Sequence, residues 1–105
     1  MKQMYNGRHC IKEDYDRVND SILYFFSLIN KKDMEAINYG LSLAREAASY
    51  DEELSNRLLR IIQRAKSEIN EDNKNKILEG LKVKCQPIFN ELVSNILVDI
   101  QEHNS

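Results

Sequence analysis

His9, Cys10, Cys85 and His103 are the side chains of this 105-residue sequence best suited to hold a transition metal. Zinc sites take their ligands in close pairs, Cys-x2–4-Cys or His-x3–5-His, because one turn of chain delivers both members. His9 and Cys10 are adjacent rather than spaced, and the other two stand far away, so the pattern predicts no metal. Nor do His9 and Cys10 make an activated nucleophile, since neighbouring side chains rarely reach the hydrogen-bond geometry that activation needs. The whole chain holds 3 Gly and has no P-loop, no G-x-G-x-x-G and no G-x-S-x-G elbow. Carboxylates are plentiful, but they gather where helices are expected to begin and the helix dipole favours them. The expectation is a non-enzymatic protein without metal or cofactor.

Charge is the more informative chemistry. Lys and Arg number 15 against 17 Asp and Glu, a net charge of −2, and a dedicated nucleic-acid binder usually carries a basic excess. The sign is uneven, however. Residues 1–56 hold 7 basic and 10 acidic side chains, residues 57–84 hold 8 and 4, and residues 85–105 hold no basic and 3 acidic ones. Inside the basic stretch Arg57, Arg60 and Arg64 recur at helical spacing and form a stripe. Such a stripe can grip phosphates or carboxylates. It also complements the helix dipole, with Asp51, Glu52 and Glu53 at the opposite end. An acidic protein partner is the favoured functional reading, with nucleic acid the less favoured one.

The elements that must carry these residues follow from the apolar period. Ile11, Tyr15, Val18, Ile22, Phe25 and Ile29 fall on one helical face; Met34, Ile37, Leu41, Ala44 and Ala48 on a second. Leu54, Leu58, Ile61, Ala65 and Ile69 form a third, and Leu78, Leu81, Cys85, Ile88, Leu92 and Ile96 a fourth. The predicted helices span about 11–30, 33–48, 50–69 and 73–101. Asp33 is the expected N-cap of the second, and Ser49 with Glu52 fits a capping box for the third. Asn70–Asn75 is the strongest breaker. Pro87 removes a donor and clashes with the carbonyl of Val83, yet the apolar phase carries across it, which favours one kinked helix over two. Residues 1–10 read as a flexible tail and 102–105 as a frayed end. The fold class is all-α, an antiparallel four-helix bundle in a single domain at 11–101. Two apolar arcs exceed what one face needs: the first reading is that both helices form the core, the second that they present a partner or homodimer surface, with Tyr24, Phe26 and Phe89 as its candidate contacts.

No apolar run reaches the ~18 residues of a membrane span, and no signal-type h-region opens the chain. With no export signal and no C-x-x-C spacing, Cys10 and Cys85 are expected as free thiols in the cytoplasm. The abundance of Asn, Lys and Ile suggests an AT-rich coding sequence of a bacterial or mobile-element kind. Lys32–Ile37 resembles the start of the second helix of a tetratricopeptide repeat, but that motif's Gly, Tyr and Pro positions are not met elsewhere. Small four-helix bacteriocin immunity proteins and flagellar or type III export chaperones are similar in length and helical content, with no shared motif. The function expected is therefore a protein-binding module: an adaptor, chaperone, immunity protein or inhibitor. The alternative is a transcriptional regulator using the basic 57–84 segment, its helix-turn-helix placed around Ser49.

Overall fold

A computed structural model describes residues 10–104. Four helices account for most of them: α1 (Lys12–Asn30), α2 (Glu35–Ala47), α3 (Glu52–Glu68) and α4 (Lys74–Asn104). There is no strand among the described residues.

The packing order is a closed ring in which α1 touches α2 and α4, and α3 touches the same two helices. Direction is fixed by the contacts themselves. On α1 and α2, Arg17 bonds Glu46 while Tyr24 meets Tyr39, so one number rises as the other falls. On α3 and α4, Asp51 accepts from Asn95 and Arg57 pairs with Glu91. On α1 and α4, Phe26 stacks edge-on against Phe89 and Asn30 accepts from Lys82. Each of these pairs is antiparallel. Connections as short as Lys31–Met34 and Ala48–Asp51 could not let packed neighbours run any other way.

Local chemistry ends and starts the helices. The α1 terminus is a Schellman motif: Lys32 N–H donates to the Ile29 carbonyl at 2.9 Å and Asp33 N–H to the Leu28 carbonyl at 3.0 Å. Lys32 takes the left-handed position with φ 60°, where Gly is the usual choice. Met34 rather than the expected Asp33 stands at the N-cap of α2 and makes no side-chain cap bond, while Asp33, just before it, accepts from Glu35 N–H at 2.9 Å. The capping box expected at Ser49 and Glu52 is not formed. Asp51 is the N-cap of α3, accepting from Leu54 N–H at 3.1 Å, because two further turn residues close the α2 terminus first. Ile11 caps α1 and is exposed rather than in the core; its N–H donates to the Asp14 carboxylate at 2.8 Å.

Helix α4 runs without interruption through Pro87 to Asn104, past the expected end at 101. Pro87 and Val83, whose carbonyl loses its donor, both lie on the solvent side of the helix, Val83 69% exposed. Phe25, Ile29, Leu58, Ile62, Leu92 and Ile96 fill the axis of the ring. At Gly40 the backbone of α2 comes so close that an added Cβ would stand 2.6 Å from Phe25 Cε1. Cys10 is buried too, its N–H bonded to Asp99 at 2.6 Å, so it belongs to the folded body rather than to the expected tail. The rest of that tail lies outside the described residues.

Candidate functional site

Helices α3 and α4 leave a cleft of about 470 Å³ between them, near the connection that joins them. Its walls repeat at one residue per turn. Arg60, Arg64 and Glu68 form the outer row on α3, and Lys76, Gly80 and Lys84 the outer row on α4. Ile61 and Ala65 from α3, with Ile77 and Leu81 from α4, make the floor between the rows. Ile61 and Ile77 are only partly buried, so apolar surface stays open at the bottom of a cationic trough.

Of the four cations, Arg64 is engaged by Glu68 at 3.3 Å, an exposed pair of small energetic value. Arg60, Lys76 and Lys84 make no ion pair among the described residues. The basic excess read from residues 57–84 is thus concentrated around one concave feature. The volume lies within the range typical of ligand sites, ~300–1,000 Å³.

Arg60 and Arg64 are brought together as their spacing predicts. Arg57 is not part of the cleft; one turn earlier on α3, it faces Glu91 of α4 at 3.7 Å. Tyr24 is 51% exposed and packs edge-on against Tyr39, on the α1–α2 side of the molecule and away from the cleft. Phe26 and Phe89 are corrected: with Phe25 they form the aromatic centre of the bundle, and Phe89 is 1% exposed. Closure of the ring covers Phe25, Phe26 and Ile29 of the α1 arc and Phe89, Leu92 and Ile96 of the α4 arc, while Leu23, Tyr24, Leu97 and Val98 stay exposed. Lys76, Gly80 and Lys84 escape sequence reading, since periodicity within α4 does not say which neighbour a given row will face.

The one carboxylate of the cleft, Glu68, is already paired. Burial pushes the thiol of Cys85, next to Lys84, up to about 12, which keeps it protonated and inert. No group of three or more His, Cys, Asp or Glu among the described residues is placed to hold a metal ion. No helix among them is long and apolar enough to cross a membrane.

A second polar cluster closes the opposite end of the bundle. Arg17 bonds Asp14 at 3.3 Å, Glu46 at 3.2 Å and the Tyr50 hydroxyl. Burial opposes its charge, but Glu46, Tyr50 and Asp14 outweigh that effect and the guanidinium pKa is raised. Asp14, Asp51 and Asp99 are all buried and all bonded to backbone N–H groups, from Ile11, Leu54 and Cys10. These carboxylates fasten helix starts and chain segments together, which accounts for them structurally. No protein-family model, curated protein or solved structure matches the chain.

Proposed function

We propose that the chain is a small, non-enzymatic protein-binding module of the cytoplasm whose docking surface is the α3–α4 cleft and whose partner is an acidic segment of another protein. The observation that carries this reading is the set of cations on the two rims, Arg60, Lys76 and Lys84, which make no ion pair among the described residues, around an open apolar floor. Cations at a rim raise the rate of encounter with an acidic partner, and an apolar floor slows its departure. Nucleic acid fits the floor less well, because a duplex backbone offers phosphates but no apolar group to cover Ile61 and Ile77.

The test begins with affinity capture and identification of the partner. Charge reversal by Arg60→Glu, Arg64→Glu and Lys84→Glu together should cut the association rate by at least ~10-fold and flatten its salt dependence, with helicity unchanged. Arg57→Glu, outside the cleft, should leave the rate within a factor of about two. Duplex DNA bound with a steep salt slope, lost in the triple variant, would give the cleft to the regulator reading instead. A complex with a second copy of the chain, seen as concentration-dependent mass in sedimentation velocity, would make the partner the protein itself.

A further inference from the structure

Gly80 stands in the middle of the outer row of α4, with Lys76 one turn before it and Lys84 one turn after. Glycine inside a helix weakens it relative to alanine, because the unfolded chain has more freedom to lose. A local reason usually compensates, and at Gly40 there is one: a Cβ would run into Phe25. At Gly80 there is none. An added Cβ would meet nothing within 4 Å, and the residue has no left-handed φ that would call for glycine. What the missing side chain provides is room on the cleft, whose lining also includes the small side chain of Ala65 in its floor.

We infer that Gly80 sets the specificity of the cleft, and that its occupant is an acidic amphipathic helix seating one large apolar side chain over Gly80. This rests on the cleft being a protein-docking surface. Residues four apart on a helix lie about 6 Å apart along its axis. A partner helix aligned with the groove therefore brings carboxylates one turn before and one turn after its apolar anchor to Lys76 and Lys84. Arg60 and Arg64 face the same groove from α3 and add bidentate partners for further carboxylates. The groove between two antiparallel helices also has the shape that a third helix fills, with its turns set among the rows of the other two.

The probe is a synthetic peptide of about 17 residues in an Ala/Gln background, long enough to hold helix. It carries a central Phe and a Glu four residues to either side, and its binding to the full chain is read by fluorescence anisotropy. The wild-type chain should bind it saturably. Gly80→Leu should weaken binding by at least ~10-fold while raising the melting temperature by about 4–8 °C, the gain of replacing a helix-interior glycine in a domain of this size. Changing the peptide's Phe to Ala should weaken binding to the wild type and make little difference to the Gly80→Leu chain, a coupling that places the anchor at this residue. If Arg60→Glu with Lys84→Glu abolishes binding and Gly80→Leu does not weaken it, the role of Gly80 is overturned while the docking surface stands. If the wild type fails to bind, or neither variant matters, the docking surface falls and the inference with it. A lower melting temperature for Gly80→Leu would overturn the claim that the space is open.

Discussion

At Gly40 a methyl group would stand 2.6 Å from Phe25 Cε1 and 3.2 Å from Ile62 Cδ1, both in the packed axis of the bundle. Alanine gains about 1 kcal/mol of helix propensity over glycine, but forcing atoms into a filled core costs about 1–3 kcal/mol. Gly40→Ala should therefore destabilise the fold by up to about 2 kcal/mol, read as a lower urea midpoint. An unchanged midpoint would show that the Phe25 ring gives way freely. Cys85 supplies a pH dependence. Burial raises its pKa from 9.0 to about 12, so the unfolded chain loses this proton first as pH rises. The contribution to stability is complete below about pH 9, falls through the window from 9 to 12, and is gone above it. Within the window the slope is at most ~1.4 kcal/mol per pH unit. The drop in urea midpoint between pH 8 and pH 10 should be larger for wild type than for Cys85→Ala. Equal drops would mean that the thiol ionises as easily folded as unfolded.

Each helix depends on its first turn. Asp51 accepts from Leu54 N–H at 3.1 Å with one carboxylate oxygen and from Asn95 at 3.1 Å with the other, so one side chain both starts α3 and ties it to α4. Asp51→Ala should cost about 1–2 kcal/mol. Ser49→Ala, at an exposed turn position, should stay within about 0.5 kcal/mol. Thermal melts of the two variants compare them directly, and a Ser49→Ala cost equal to that of Asp51→Ala would restore the capping box. The four helices themselves are legible in the sequence, because burial imposes a period on every one of them. Their exact starts are not, since Ser49 and Asp51 are both good caps and only the tight turn closing α2 chooses between them. The cleft is half legible. Arg60 and Arg64 show themselves by spacing on one helix, whereas Lys76, Gly80 and Lys84 acquire meaning only when α4 lies beside α3. Phe26 and Phe89 mislead for the same reason: an apolar arc too wide for one neighbour looks like a docking face until the second neighbour is known.

The molecule measures 51 × 21 × 18 Å, and α4, at 31 residues, runs about 46 Å of that length. Packing of α1 against α2, and of α2 against α3, is local along the chain. Closure of the ring is not, because it joins the earliest described helix to the last one through Phe26 and Phe89. That closure has a consequence in time. A ribosome adding about 5–20 residues per second makes Phe89 roughly 3–13 seconds after Phe26. During that delay the Ile22–Ile29 face meant for α4 has no partner, and it is one of the most apolar stretches of the chain. A nascent chain stalled with α3 emerged and α4 still inside the ribosomal exit tunnel should be cut by chymotrypsin around Tyr24–Phe26, while the finished protein resists. Protection at that stage would mean that α1 finds other cover. In the cell, the interval between the two phenylalanines is when this protein is most exposed to misassociation and most in need of a holding chaperone.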